Sequence, residues 1–269
     1  MSAVTASPSH YFIGWDVGGW NCDKNRNSRD AIVILNGDCD IVGVPWRGNL
    51  RVAINEADTS SSWLKALFTY CQADLTASEN IQVTLAIDTP LGFSEAFKRL
   101  ISQSGFEKHI GSSHTNSYLF RKTERFLFNR GLKPLSAIKD MIGSQATKGM
   151  HVIAKFTPVM ERCGVWTDGA VMTTIEAYPS ACKQSPLFQK LLERYKIGER
   201  VDPPEIYWMD SIDHQDKRDA LICALVAYAF TFQQDTLAHP PDDIAVNEGW
   251  IWVPKDALKP VTAHINLID

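Results

Sequence analysis

Residues 12–20 read Phe12-Ile13-Gly14-Trp15-Asp16-Val17-Gly18-Gly19-Trp20. An apolar run that ends at an aspartate predicts a buried β-strand with Asp16 at its carboxyl end. The two glycines that follow allow a tight turn and leave room for a ligand near the backbone. A carboxylate in this position is costly unless it is paired, hydrogen-bonded or bound to a metal ion. Asp16 is therefore a candidate site residue, and the alternative is that it only caps the turn.

Four more carboxylates stand at comparable places in the sequence. Asp88 and Glu176 each follow an apolar run and are followed shortly by a proline, while Asp216 and Asp219 begin a long apolar helix. Functional groups gather beyond the carboxyl ends of the strands in an open sheet, so we expect these side chains to converge with Asp16. The local alternatives are that Asp88 caps a helix and that the helix acids complement the helix dipole.

A cluster of carboxylates predicts a bound cation. Like charges held together repel and raise each other's pKa, and a divalent cation removes that repulsion. Oxygen ligands without thiolates favour Mg²⁺ or Mn²⁺ over zinc. Two such ions can activate a water molecule and stabilise the leaving oxygen of a phosphodiester. The predicted function is therefore metal-dependent phosphodiester hydrolysis, and the candidate catalytic residues are Asp16, Asp88, Glu176, Asp216 and Asp219.

Charge is unevenly distributed along the 269 residues. Residues 94–160 carry 11 Lys and Arg against four Asp and Glu, a net +7, so the rest of the chain carries −11 to give the overall −4. Aromatic residues lie between these basic residues, at Phe106, Tyr118, Phe120, Phe126 and Phe128. Basic and aromatic side chains together suit a nucleic-acid partner, although a solvated helical face has a similar composition.

The length and a hydrophobic content of 45% suit one domain, residues 1–269, with a basic helical insertion at residues 94–170. Further strands are predicted at residues 31–35 and 41–44. The six cysteines form no Cys-x-x-Cys pair, which argues against a zinc site. The chain shows no secretory signal and no apolar run long enough to span a membrane, so we expect a cytoplasmic protein without a membrane partner.

The order of elements and motifs supports a family resemblance. The motifs are Ile13-Gly14-Trp15-Asp16-Val17-Gly18-Gly19, Ile87-Asp88-Thr89-Pro90-Leu91-Gly92, Arg121-Lys122-Thr123-Glu124-Arg125, Ile175-Glu176-Ala177-Tyr178-Pro179, Asp216-Lys217-Arg218-Asp219-Ala220-Leu221 and Glu248-Gly249-Trp250-Ile251. This ordered set resembles the family of predicted RNase H-like nucleases, which is otherwise a domain of unknown function. The resemblance implies an α/β, ribonuclease H-like fold, in which helices flank a mixed five-stranded sheet.

The resemblance also implies roles for the acids. In the wider superfamily, which includes Holliday-junction resolvases, Asp16 would bridge two Mg²⁺ or Mn²⁺ ions, and Asp88 and Asp219 would each hold one. Asp216 or Glu176 would complete the set. One departure is Asp88, where much of the superfamily has glutamate.

Three basic residues of the insertion are candidate substrate contacts. By the same resemblance Arg121 and Arg125 would contact a phosphate group, and Lys148 is the third candidate. Two other functions stay open. One is a non-catalytic scaffold that binds nucleic acid or protein, and the other is an actin-like ATP-dependent phosphotransferase. The second needs another phosphate loop, for which Asp168-Gly169 is the candidate.

Overall fold

Eight strands form one open mixed sheet across residues 8–75, 80–195 and 212–260, which are the residues that our computed structural model describes. The strands are β1 (Ser9–Asp16), β2 (Asp30–Leu35), β3 (Trp46–Gly48), β4 (Ile81–Asp88), β5 (Val159–Arg162), β6 (Val165–Thr167), β7 (Met172–Ala177) and β8 (Ile251–Trp252). Their order is β3-β2-β1-β4-β7-β6-β5, and β8 pairs with the last residues of β7.

The three central strands β1, β4 and β7 run parallel, so their carboxyl ends lie at one edge of the sheet. Strands β2 and β3 continue the sheet antiparallel on one side, and β6 and β5 do so on the other. At the carboxyl edge Asp16 is paired with Asp88, whereas Glu176 is paired with Ile87, one position earlier. Successive side chains alternate between the two faces of a sheet, so this offset turns the side chain of Glu176 to the face opposite the two aspartates.

Helices cover both faces of the sheet. They are α1 (Arg51–Glu56), α2 (Ser60–Tyr70), α3 (Glu95–Ile101), α4 (Lys122–Phe128), α5 (Gly143–Phe156), α6 (Pro179–Cys182), α7 (Pro186–Glu193) and α8 (Gln215–Phe232). Helix α8 packs on one face with α6 and α7, and α2 and α5 pack on the other. No helix in the described part of the chain is long and apolar enough to cross a membrane.

Helix α8 lies against β1 because Gly14 has no side chain. A Cβ at Gly14 would stand 1.8 Å from the carbonyl oxygen of Ala220 and 2.3 Å from the nitrogen of Ala224. Such distances exclude any larger residue without separating the strand from the helix. The close approach brings the first two turns of α8 to the carboxyl ends of β1 and β4.

The α/β class and the mixed sheet were predicted correctly, but the predicted count of five strands is wrong, since the described residues contain eight. The strand predicted at residues 41–44 is also wrong. Ile41 makes only an isolated bridge to Leu35, and β3 begins later. The cause is Gly43, whose φ of 69° turns the chain, and a Cβ there would stand 2.1 Å from the carbonyl oxygen of Cys71.

The segment 94–170, predicted to be helical, ends in a β-hairpin. After α3, α4 and α5, strands β5 and β6 extend the sheet beyond β7. The turn between them contains Gly164, which has a φ of 71°. These strands have four and three residues. Strand β6 is stabilised by pairing with β7 and β5 by pairing with β6, contacts that the local sequence pattern does not reveal.

Candidate functional site

Asp16, Asp88 and Asp219 form an acidic cluster at the carboxyl edge of the sheet. Asp16 and Asp88 end neighbouring parallel strands at paired positions. Their side chains take the face that α8 covers, because Gly14, two residues before Asp16, contacts α8 on that face. Asp219, in the second turn of α8, is close enough for its charge to raise the pKa of both. The predicted convergence therefore holds for these three residues.

Burial and repulsion oppose full ionisation of the acidic cluster. Burial is the largest cause of the pKa of Asp16 lying well above its ordinary value, and the charges of Asp88 and the other nearby aspartates add to it. Burial likewise raises the pKa of Asp88 to about 8, with repulsion from Asp219 and Glu176 adding to the shift and Lys183 opposing it. A cation placed here would favour the ionised carboxylates, so protons and cations compete for this cluster.

A cavity of about 410 Å³ opens at the acidic cluster. Asp16, Asp88 and Glu176 line it, together with Thr89. Thr89 is only 5% exposed, and its hydroxyl is buried without a hydrogen-bond partner within the described structure. Residues of the insertion also line the cavity, namely Lys133, Pro134, Leu135, Ile142 and Gln145. The cavity lining thus combines carboxylates with an exposed lysine.

Asp219 is already paired with a lysine that the sequence reasoning missed. The ammonium nitrogen of Lys183 lies 2.6 Å from Oδ1 of Asp219. Oδ2 accepts a hydrogen bond of 2.9 Å from the side-chain amide of Gln215. The contact with Lys183 is an ion pair without hydrogen-bond alignment, because Oδ1 lacks an aligned donor among the described residues. A metal ion would therefore compete with Lys183 for this oxygen.

Asp216 connects the start of α8 to two other segments. Its Oδ2 accepts hydrogen bonds from Nε of Arg47 at 2.7 Å and from the backbone N–H of Arg29 at 2.9 Å. Its own backbone N–H donates to Nδ1 of His214, the residue that caps the helix. These contacts support the structural alternative for Asp216, since its carboxylate is occupied by Arg47 and by a backbone group.

Glu176 lines the same cavity as Asp16 and Asp88, but its side chain lies on the opposite face of the sheet, in a buried ion-pair network. Nη2 of Arg121 lies 2.6 Å from Oε1 of Glu176 and 2.6 Å from Oε1 of Glu124. The backbone N–H of Leu91 also donates to Glu176 at 2.9 Å. Burial opposes the charge on Arg121, but the two glutamates outweigh it and raise the pKa of Arg121, while burial raises the pKa of Glu124.

This network argues against two predicted roles. Arg121 is 2% exposed and its guanidinium is shared by two glutamates, so the predicted contact with a substrate phosphate is not supported. The carboxylate of Glu176 is occupied by the same guanidinium, so a catalytic role would require breaking a buried ion pair. The sequence motifs around both residues thus reflect a structural contact.

Lys148 is also buried, and its partner is Asp30, which the sequence reasoning missed. The two side chains form an ion pair with no exposed surface. Asp30 also accepts hydrogen bonds from Nε1 of Trp15 at 3.1 Å and from the backbone N–H of Gly18 at 2.9 Å. The pair therefore holds the turn that follows Asp16. The predicted contact of Lys148 with substrate is not supported by this position.

A third residue whose role was missed is Glu248, which caps two helices. The backbone N–H groups of Glu95 and Lys122, which begin α3 and α4, donate to its two carboxylate oxygens at 2.9 and 2.8 Å. The sequence motif from Glu248 to Ile251 singled out this residue, but it did not reveal that the Glu248 carboxylate caps α3 and α4. Glu248 thereby anchors the start of the insertion to the end of the chain.

Arg125 is placed apart from the acidic cluster. It lines a different cavity, of about 430 Å³, together with Lys122, Asn129 and Asp243. Its side chain is partly exposed, so the predicted phosphate contact stays a prediction for a surface remote from the carboxylates. Lys133, in contrast, lies at the cavity of the acidic cluster.

Asp168-Gly169, the candidate second phosphate loop of the actin-like alternative, forms the turn between β6 and β7. Oδ1 of Asp168 accepts hydrogen bonds of 2.9 Å from the backbone N–H groups of Ala170, Val171 and Met172. Burial opposes the charge, but these hydrogen bonds lower the pKa of Asp168. Since its carboxylate closes its own turn, this segment does not support the actin-like alternative.

Among residues 8–75, 80–195 and 212–260, no group of three or more His, Cys, Asp or Glu side chains is arranged to hold a metal ion. The donor chemistry still fits a hard cation, because the acidic cluster offers only carboxylate oxygens. Mg²⁺ is usually held by one or two carboxylates together with water and substrate phosphates. The pair Asp16 and Asp88 meets that smaller requirement.

Comparison of the chain with protein-family models, curated proteins and solved structures finds no match. The resemblance to RNase H-like nucleases therefore stays a prediction that rests on sequence motifs and element order.

Proposed function

We propose that the chain is a ribonuclease H-like, Mg²⁺- or Mn²⁺-dependent nuclease. The observation that carries this proposal is the pairing of Asp16 with Asp88 at the ends of two parallel strands, with Asp219 facing them from α8. The ribonuclease H-like fold in this proposal is supported by the order of the elements. An antiparallel β1–β2–β3 unit comes first, then β4 and β7, and then a long helix that carries acids.

The charges of the acidic cluster are less well neutralised than those of buried carboxylates with a purely structural role. Buried carboxylates are ordinarily paired, yet Asp16 and Asp88 keep strongly raised pKa values and face a cavity. A Mg²⁺ or Mn²⁺ ion held by Asp16 and Asp88 would supply charge stabilisation for a phosphate group and for an attacking water. The competing explanation, a purely structural cluster, gives no reason for opening it to a cavity.

The walls of the cavity suit a phosphodiester. Lys133 is exposed and lines the cavity, so it can attract and orient the anionic backbone. Tyr178 and Ser180 line the same cavity, and the Tyr178 hydroxyl donates to the backbone carbonyl of Lys133 at 2.9 Å, which holds that lysine's backbone in place. In this proposal these residues bind and orient the phosphodiester, while the acidic cluster holds the cation.

The experiment compares cleavage of single-stranded, duplex and branched oligonucleotides with Mg²⁺, Mn²⁺ or EDTA. We expect metal-dependent cleavage by the wild type, and its loss in Asp16→Asn and Asp88→Asn. Asp38→Asn, a change at an exposed turn, is the matched control and should keep full activity. Cooperative unfolding of each variant shows that it is folded.

The opposite results would overturn the proposal. Cleavage that persists in both Asp16→Asn and Asp88→Asn would exclude the acidic cluster as the catalytic site. A wild type that cleaves none of the three substrate classes with either metal would favour the non-catalytic scaffold. That alternative is favoured at present by one observation, namely the ion pairs that occupy Asp219, Asp216 and Glu176.

A further inference from the structure

We propose that the ammonium group of Lys183 takes the place of a second divalent cation, so that the acidic cluster binds one Mg²⁺ or Mn²⁺ ion per chain. This inference rests on the proposed function, because it concerns the same cluster. Its central observation is the distance of 2.6 Å between Nζ of Lys183 and Oδ1 of Asp219. A resident lysine at that oxygen excludes a metal ion from the same position.

The fold places Lys183 beside Asp219 through a short connection. Helix α6 follows β7 at once, and Cys182, the last residue of α6, is completely buried in the core that α8 shares. The backbone N–H of Lys183 donates to the carbonyl of Pro179 at 3.0 Å. The backbone of Lys183 is therefore fixed against α8, while its side chain, 41% exposed, reaches Asp219 along the surface.

The net charge of the acidic cluster is balanced by one divalent ion. Among the residues that the structure describes, the other carboxylates close to the cluster have basic partners, as the pairs Asp30–Lys148, Asp216–Arg47 and Glu176–Arg121 show. The acidic cluster itself carries three carboxylates, and Lys183 neutralises one of them. Two negative charges then remain, on Asp16 and Asp88, and a single divalent ion balances them.

A two-ion site would need further ligands. Two ions about 4 Å apart require carboxylates on both sides of the bridging residue. The side chains that could supply them, Asp219, Asp216 and Glu176, are held by Lys183, Arg47 and Arg121 respectively. Of these three pairs, only the one with Lys183 is substantially exposed, so it is the one that a substitution can open without disturbing the core.

The test counts bound Mn²⁺ on the full chain by calorimetry and by electron paramagnetic resonance, with Mn²⁺ alone as the probe. We expect one ion per wild-type chain and two per Lys183→Met chain, because Asp219 is then free to act as a ligand. Lys183→Arg should keep a count of one. Lys190→Met, at an exposed lysine of α7, is the matched control and should also bind one ion.

Different outcomes separate the inference from the proposed function. Two ions on the wild type, or one ion on Lys183→Met, would overturn the role of Lys183 and leave the proposed metal dependence intact. A wild type that binds no Mn²⁺ at saturating concentration would overturn both. Unfolding curves of Lys183→Met that match the wild type exclude misfolding as the cause of any change in the count.

Discussion

Replacing Asp88 by asparagine is expected to stabilise the metal-free protein at neutral pH. Burial and the neighbouring charges raise the pKa of Asp88 from 3.8 to about 8. The folded state therefore keeps this proton up to about pH 8, whereas the unfolded chain loses it near pH 4. The stability that the protonated group contributes is complete below pH 4 and is lost as the pH rises towards 8.

The magnitude follows from that interval. At pH 7 the wild type is about 3 pH units above the unfolded pKa, which corresponds to a ceiling of about 4 kcal/mol. Asp88 is partly exposed, and solvent screening reduces the expected gain in Asp88→Asn to about 2 kcal/mol. At pH 5 the expected gain is less than about 1 kcal/mol. That pH is only about 1 unit above the unfolded pKa, so ionisation of Asp88 favours the unfolded state much less than at pH 7.

The assay is urea unfolding of the wild type and Asp88→Asn in EDTA at pH 5 and pH 7. The difference in the free energy of unfolding between the two proteins should grow with pH, and Asp38→Asn should show no such trend. Mg²⁺ should then stabilise the wild type more than Asp88→Asn. A variant that is less stable than the wild type at pH 7, or equally stabilised at both pH values, would refute the proposed electrostatic strain at Asp88.

Three further changes test the structural contacts. Asp30→Asn leaves the Lys148 ammonium buried without its counter-charge and should lower the free energy of unfolding by about 3–5 kcal/mol. The double variant Asp30→Asn/Lys148→Met should recover part of this loss, and urea unfolding of Asp30→Asn equal to that of the wild type would contradict the prediction. Glu176→Gln should lower the free energy of unfolding by about 3 kcal/mol in the same assay, because it removes one partner of the buried Arg121. It should leave Mn²⁺ binding unchanged, and a loss of binding with unchanged stability would restore the predicted catalytic role of Glu176. Gly14→Ala should lower the melting temperature strongly, since overpacking between β1 and α8 costs about 3 kcal/mol or more, and an unchanged melting curve would show that the two elements can separate.

Much of the central sheet could be predicted because its signals are local. Apolar runs that end in a carboxylate identify β1, β4 and β7, and an apolar helix that begins with acids identifies α8. Each signal lies within one element. The convergence of Asp16, Asp88 and Asp219 then followed from a general property of parallel strands, whose carboxyl ends meet at one edge.

The errors have a common physical cause, which is that they concern partners distant in the sequence. Glu176 ends a strand just as Asp88 does, but its pairing with Ile87 turns its side chain to the other face. Lys148 looks like a surface residue of a basic insertion, yet it lies 118 residues from the aspartate that neutralises it. No periodicity in the sequence marks such a pair.

The amino-acid pattern alone was sufficient to place the α/β class, the edge of the sheet where the acids gather, and the basic character of the insertion beside them. These properties depend on composition and on periods of two or 3.6 residues, which a short window of sequence contains. The tertiary structure decided which acids remain free for a cation and which are neutralised. Strand register and the packing of α6 against α8 set that division, because an ion pair depends on distances of a few ångströms between segments that the chain brings together only when it folds.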